Sequence, residues 1–335
     1  MGVTLADILA ARRVIRGAAD ATPFVPSPFM SARAGQEFLL KLENMQPIGA
    51  FKLRGALNAV MSLPAGVEGV TCCSTGNHGR GVAWAARARG LRAVICMSSL
   101  VPQTKVEGIR ALGAEVRIVG TTQNAAMEES RRLCDSEGLV EISPFDDPRV
   151  IAGQGTIGLE MLEARPELAT ILVPLSGGGL AAGLAVAAKT ISPKVRVIGI
   201  TMDRGAAMHA SLRAGCPVEV AEVASLADSL GGGIGLGNRL SFPLCRELLD
   251  DVILVSEEDI RDAMQALYFE DRIVAEGASV VGLAAVLAGK VALPPGPVAT
   301  IITGRNLDMA LFSKIMAGED VSIGDLTVKG RAYGA

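Results

Sequence analysis

Aromatic residues make up only 3% of this 335-residue chain, with a single tryptophan. That scarcity withholds the stacking platforms on which single-stranded nucleic acid binds. There are two histidines, and the six cysteines (Cys72, Cys73, Cys96, Cys134, Cys216, Cys245) form no Cys-x-x-Cys pair. No zinc site of ordinary spacing follows from such a set, and no metal is expected. A net charge of −3 gives no general pull toward phosphate backbones or anionic membranes. The N-terminal stretch carries an acid and arginines inside its apolar run, unlike a secretory signal. Gly2 is followed by alanine at position 6, where an acylation signal needs serine or threonine. The charge-free run 168–188 is long enough to span a bilayer, but Pro174 and Ser176-Gly177-Gly178-Gly179 interrupt it. A strand, a tight loop and a helix account for it better. Neither nucleic acid nor membrane is expected as a partner. A reduced, cytoplasmic protein whose cysteines are mostly core fillers is.

The chain does hold 50% hydrophobic and 20% charged residues and 39 glycines, enough for a packed core in about two domains. Short apolar runs alternate with glycine- or serine-bearing loops and amphipathic segments. Strands are predicted at 37–42, 69–73, 92–97, 115–119, 170–175, 196–201, 251–255 and 298–303. Helices are predicted at 51–63, 79–89, 105–112, 122–137, 180–191 and 257–270. The alternation predicts an α/β fold with parallel sheets and helices on both faces. Segment 65–147 reads as a smaller domain, and 1–64 with 148–335 as a larger one. The string Pro144-Phe145-Asp146-Asp147-Pro148 reads as their connector. Residues after Met316 read as a short tail.

Four strings carry chemistry. In Gly49-Ala50-Phe51-Lys52-Leu53-Arg54-Gly55-Ala56, a lysine stands in an apolar, glycine-flanked turn entering a helix. Burial there would depress its pKa and make its amine a nucleophile able to form a Schiff base. Alone, the string reads more readily as a surface lysine on a first helical turn. Ser74-Thr75-Gly76-Asn77-His78-Gly79 follows a strand and opens a helix. Its hydroxyls, amide and backbone N–H groups suit a carboxylate, and Ser74 or Asn77 would equally serve as a helix cap. Val173-Pro174-Leu175-Ser176-Gly177-Gly178-Gly179-Leu180 brings three glycines to another helix start, a setting for a phosphate. Gly177, Gly179 and Ala182, with Asp203 after the next strand, also fit a dinucleotide fingerprint. Ile302-Thr303-Gly304-Arg305-Asn306 places a hydroxyl at a strand end, where such sheets bind ligands.

Taken in this order, the four strings resemble the fold-type II pyridoxal phosphate (PLP) enzymes, the tryptophan synthase β-like fold, in their threonine dehydratase and serine racemase branch. Leu42-Glu43-Asn44, the run 151–157 and Ala227-Asp228-Ser229 agree with it. The runs 204–211 and 229–233 most resemble the hydroxyectoine-utilisation dehydratases. The resemblance implies that Lys52 holds PLP, with Phe51 beside the ring and Asn77 bonded to its 3′-oxygen. It implies that Ser176, Gly177, Gly178, Gly179 and Leu180 bind the phosphate, that Thr303 faces the pyridine nitrogen and that Glu276 lies near the cofactor. Ser74, Thr75, Asn77 and His78 would form the substrate-carboxylate cradle, with Lys52 and Thr75 as the catalytic pair. The implied activity is elimination of the β-hydroxyl of a 3-hydroxy amino acid, giving a 2-oxo acid and ammonia. The implied assembly is a homodimer.

The departures are informative. Ala50 stands where many relatives have serine. Thr75 stands where serine racemases have the opposite-face acid/base, which leaves racemisation open as an alternative. The metal-binding carboxylates of serine racemase map to Thr201 and Ala207, so no magnesium dependence is expected. Too few residues follow Asn306 for a regulatory domain, so isoleucine feedback is not expected. Two further readings stay open from the sequence: a nicotinamide-dependent oxidoreductase, resting on Gly177, Gly179 and Ala182, and a non-catalytic PLP-binding protein.

Overall fold

The computed structural model describes residues 2–334 except 75, 100, 102 and 122. Twelve strands are present among them: β1 (Phe24–Pro26), β2 (Phe38–Lys41), β3 (Gly69–Cys73), β4 (Arg92–Met97), β5 (Glu115–Ile118), β6 (Val140–Glu141), β7 (Thr170–Pro174), β8 (Arg196–Met202), β9 (Asp251–Val255), β10 (Val298–Ile301), β11 (Val321–Ile323) and β12 (Leu326–Val328). They form a six-stranded sheet in the order β1-β2-β10-β7-β8-β9, a four-stranded sheet in the order β5-β4-β3-β6, and the hairpin β11-β12. Every pairing in the four-stranded sheet is parallel. In the larger sheet only the edge pair β1–β2 is antiparallel.

Side-chain alternation along buried strands divides the core. Leu39, Ile171, Val173, Val197 and Ile301 face one side of the large sheet. Helices Leu5–Ile15, Pro148–Ala164, Gly179–Ile191 and Ser241–Leu248 cover that side. Phe38, Leu40, Leu172, Ile198 and Ile200 face the other side, under helices Glu257–Asp271, Val281–Leu287 and Met309–Ala317. The segment read as a tail is not one. After helix Met309–Ala317 the chain forms the β11–β12 hairpin, and Val321 and Val328 join the core. The run 168–188 resolves into β7, a glycine loop and the start of helix Gly179–Ile191. No described helix is long and apolar enough to cross a membrane. Cys72, Cys96 and Cys245 are buried, Cys73 and Cys134 partly so, and Cys216 is exposed, which narrows the core-filler reading to about half the set.

Helix Lys52–Met61 joins the two sheets' surroundings. It is buried from Leu53 to Val60 and packs on Asn77–Arg89 of the small-sheet side and on Pro148–Ala164 of the large-sheet side. Its small residues, Gly55, Ala56 and Ala59, permit that close double contact. Its start is pinned by a buried ion network. Arg54, 1% exposed, bonds Glu43 (Nη2–Oε1 2.8 Å) and Glu160 (Nη1–Oε1 2.6 Å), and Lys41 bonds Glu160 at 2.6 Å. Charges this deep persist only when paired and hydrogen-bonded. Two residues from Lys52, the network fixes where that helix begins.

Candidate active site

The four strings converge in the cleft between the sheets. Lys52 opens its helix half-buried, and its amine donates to the Pro144 carbonyl at 2.7 Å. Desolvation lowers its pKa to about 8. The surface-lysine reading therefore does not hold. Phe51 lies beside it, with Nζ 5.4 Å from the ring centroid, and the Phe51 N–H donates to the Thr303 carbonyl. The lysine string and the Thr303 string are thus hydrogen-bonded to each other.

At the end of β3, the Ser74 hydroxyl accepts from the N–H groups of Gly76 (3.3 Å) and Gly79 (3.1 Å), so it caps the helix. Its own hydrogen stays available to donate. The N–H groups of Asn77 and His78 belong to the first helical turn, which makes no intrahelical bond through them. The His78 ring is 3% exposed, and Nε2 meets the Ile142 carbonyl at 2.8 Å. Burial and, secondarily, the Lys52 charge push its pKa down to about 3, so the ring is neutral and donates to that carbonyl. Thr75 lies outside the described residues.

Asn77 points across the cleft. Nδ2 donates to Glu276 Oε1 at 2.8 Å, and Oδ1 accepts from Asn306 Nδ2 at 2.6 Å. One Nδ2 hydrogen remains for a ligand. Glu276 is 4% exposed and also accepts from Ser229 at 3.4 Å. Desolvation, with the nearby Asp228 charge, pushes its pKa up to about 8. Thr303 is 3% exposed, and its hydroxyl pairs with that of Ser279 at 2.9 Å.

At the end of β7 the glycine loop leads into helix Gly179–Ile191, whose N-cap Gly178 has φ +89° and offers no side-chain cap. The first N–H groups therefore have no side-chain cap from the N-cap residue. A Cβ at Gly178 would meet Met208 Cε at 2.7 Å and Cys245 Sγ at 3.0 Å, and one at Gly177 would enter the Phe145 ring. Glycine is thus required twice, once for the left-handed backbone and once for close approach. A bare loop at an uncapped helix start fits a phosphate, and a half-buried amine of lowered pKa fits an aldehyde; together they suit PLP. No group of three metal-ligating side chains occurs among the described residues.

Two contributors carried no sequence signal, Ser279 as a lone polar residue and Ser241 from a distant helix, while Pro144 and Asn306 lie in strings the sequence singled out for other reasons. Arg54 and Glu43 did leave a trace, as charges inside apolar strings.

The sequence pattern of the family described as "Pyridoxal-phosphate dependent enzyme" matches residues 15–304. The chain is 51% identical over 318 residues to a putative threonine dehydratase of Sinorhizobium fredii, covering 94% of this chain and 96% of that protein. It is 39% identical to an L-threonine ammonia-lyase of Thermotoga maritima, covering 94% of this chain and 78% of that protein. Among solved structures, that of maize serine racemase superposes with a TM-score of 0.89 at 33% identity, covering 95% of this chain and 98% of that one.

Proposed function

Since the chain belongs to the pyridoxal-phosphate-dependent enzymes, in their threonine dehydratase branch, and is a PLP-dependent ammonia-lyase, we propose that it eliminates the β-hydroxyl of a 3-hydroxy amino acid to give a 2-oxo acid and ammonia. The observation that carries this reading is the Lys52 amine, of lowered pKa and bonded to the Pro144 carbonyl, one residue from Phe145, which packs on Gly177 of the bare glycine loop. Family membership sets aside the dinucleotide reading of Gly177, Gly179 and Ala182.

In this proposal Ser176, Gly177, Gly178, Gly179 and Leu180 hold the cofactor phosphate, Asn77 gives its remaining Nδ2 hydrogen to the 3′-oxygen, and Phe51 flanks the ring. Thr303 meets the ring nitrogen, and Glu276 fixes Asn77. Bound PLP supplies the electron withdrawal that labilises the Cα proton. The Lys52 amine, once free, takes that proton. The substrate carboxylate is held by the hydroxyls of Ser74 and Thr75 and by N–H groups of the Asn77–Arg89 helix start. His78 contributes its backbone there, because its ring is committed to Ile142. A hydroxyl rather than a carboxylate at Thr303 keeps the ring nitrogen neutral, which favours prompt loss of the β-hydroxyl.

The finer substrate reading is a compound derived from hydroxyectoine. Intact hydroxyectoine has its Cα nitrogen inside an amidine ring and cannot condense with an aldehyde. The substrate is therefore a ring-opened 3-hydroxy amino acid with a free α-amine. We further propose a cytoplasmic homodimer in which segment 65–147 moves as a unit over the substrate. The test is an ammonia-release screen of threo and erythro 3-hydroxy amino acids, with serine, threonine, and intact and ring-opened hydroxyectoine, beside a Lys52→Ala control. Turnover of the intact ring alone would refute the substrate class, and no ammonia from any member would refute the reaction. Serine racemisation is the second reading, favoured by the likeness to maize serine racemase, and chiral analysis of the same mixtures separates it.

A further inference from the structure

Three consecutive residues of the segment between β6 and helix Pro148–Ala164 reach three parts of the site. The Pro144 carbonyl takes the Lys52 amine. The Phe145 ring occupies the space a Gly177 side chain would need. The Asp146 carboxylate accepts three successive backbone N–H groups, from Arg239 to Oδ2 and from Leu240 and Ser241 to Oδ1, each at 2.9 Å. Those groups open helix Ser241–Leu248, whose preceding residue Leu240 gives it no side-chain cap. Asn238 reaches this helix start too, its Oδ1 accepting from the Phe242 N–H and its Nδ2 donating to the Ser241 hydroxyl, each at 2.8 Å. Asp146 adds, from 95 residues away, acceptors for the three preceding N–H groups and a negative charge.

What the helix then does is specific. Its first residue, Ser241, fully buried, donates its hydroxyl to the Gly177 carbonyl at 2.6 Å. Cys245, one turn on, reaches the Gly178 carbonyl at 3.6 Å. These contacts hold the Gly177 and Gly178 carbonyls on the side of helix Ser241–Leu248. A carboxylate is suited to the task, since it accepts from several N–H groups at once and has no hydrogen to misdirect.

We propose that Asp146 is a positioning residue for the cofactor. By capping helix Ser241–Leu248 it sets Ser241 against Gly177 and so fixes the phosphate loop, on the same short segment that anchors the Lys52 amine. The inference rests on the reading of that loop as the phosphate cradle. It predicts that Asp146 and Ser241 act in series.

The test is the PLP dissociation constant of the apo-protein, with the 31P resonance of the bound phosphate, for Asp146→Ala, Ser241→Ala, the double variant, Asp146→Asn and Ser176→Asp. Asp146→Ala and Ser241→Ala should each weaken binding about tenfold and shift the 31P line in the same direction. The double variant should be no weaker than the weaker single one, because one chain of contacts is cut twice. Asp146→Asn keeps an oxygen for Leu240 and Ser241 and should restore most of the affinity. A general structural role would lower the apo-protein's urea midpoint without moving the 31P line. Wild-type affinity in Asp146→Ala, or effects that multiply in the double variant, would overturn the proposal. If Asp146→Ala does not fold, Asp146→Ser, whose one shorter oxygen cannot serve all three N–H groups, takes its place in the same cycle. Ser176→Asp puts a negative charge into the cradle and should abolish binding. If it binds like wild type, the cradle reading itself is wrong, whereas loss there with a normal Asp146→Ala sinks only the role of Asp146.

Discussion

Asn77 Nδ2 donates to Glu276 Oε1 at 2.8 Å, so a residue at the start of a small-sheet helix is held by a carboxyl group from the large-sheet side. The carboxyl is 4% exposed, and burial with the Asp228 charge pushes its pKa up to about 8. At neutral pH it is thus mainly a neutral acid in the folded protein, against an ionised group in the unfolded chain.

A pH dependence of stability follows. Between about 4.5 and about 8 the folded protein holds a proton on Glu276 that the unfolded chain has released. Linkage then makes stability fall as pH rises through this window. The contribution is fully present below the lower value and lost above the upper one. Below about 6.5 the buried neutral His78, with its pKa of about 3, gives the opposite slope. Urea midpoints of the apo-protein should therefore decline between pH 6.5 and 8, and Glu276→Gln, which cannot ionise, should flatten that decline. An unchanged slope in Glu276→Gln would place the titration elsewhere.

Lys52 shifts in the opposite sense for a cation. Burial lowers its pKa to about 8, so the reactive neutral amine becomes the main form above that value. Second-order loading of apo-protein with PLP, followed by growth of the absorbance band at about 410–420 nm, should rise roughly tenfold per pH unit below 8 and level off above it. Lys52→Ala should bind PLP without that borohydride-sensitive band and release no ammonia. A loading rate that still rises about tenfold per unit between pH 8 and 9 would show that the amine keeps an ordinary lysine pKa and is not desolvated as the structure has it.

Much of this arrangement is legible in the sequence, and the exceptions have physical reasons. β3, β4 and β9 match their predicted bounds end to end, because strands buried in a parallel sheet read as short apolar runs. β1 ends on a proline, and β6 spans two residues, too few for any periodicity. Helix Pro148–Ala164 hides behind Gly153, Gly155 and Gly158, poor helix formers. Those glycines serve packing: a Cβ at Gly153 or Gly155 would strike the backbone of helix Lys52–Met61 or Gly183. The string read as a connector ends in the start of that helix, with Asp147 as N-cap and Pro148 in the first turn. The strings around Lys52, Ser74–Gly79 and Ser176–Gly179 stand out in the sequence because each sets glycine and polar residues at a helix start. The Pro144 carbonyl and the hydroxyls of Ser279 and Ser241 could not be announced, since a backbone oxygen or a lone serine has no signature until folding brings it to its partner.

The buried ion network should be costly to break from one side. Arg54→Met removes the shared partner of Glu43 and Glu160, and Glu43 has no exposed side-chain surface. An uncompensated carboxylate there should cost ~3–5 kcal/mol. Replacing Glu43 by leucine as well removes the stranded charge and should recover part of that loss. Urea unfolding of the two variants checks this, and a double variant less stable than Arg54→Met would count against it. Because Arg54 stands two residues from Lys52, the single variant should also load PLP more slowly at equal folded concentration.

On the proposed placement of the ring nitrogen, Thr303 should set the balance between elimination and racemisation. Its hydroxyl, paired with Ser279 at 2.9 Å, is the group placed by the proposal at the ring nitrogen. A carboxylate there would keep that nitrogen protonated and let the ring withdraw charge more strongly. The electron pair left at Cα when the proton is removed would then persist longer. Return of a proton to Cα would compete better with departure of the β-hydroxyl. Thr303→Asp should therefore raise the ratio of serine racemised to ammonia released, by about tenfold for each 1.4 kcal/mol of added stabilisation. Thr303→Asn has similar size and no charge, so it separates the electronic effect from the steric one and should leave the ratio near wild type. Chiral chromatography of residual serine, beside ammonia measured in the same samples, gives both quantities. If Thr303→Asp and Thr303→Asn change the ratio equally, the hydroxyl is not acting through the charge state of the ring nitrogen, and the preference for elimination must be set by how the substrate is held against Ser74 and the Asn77–Arg89 helix start.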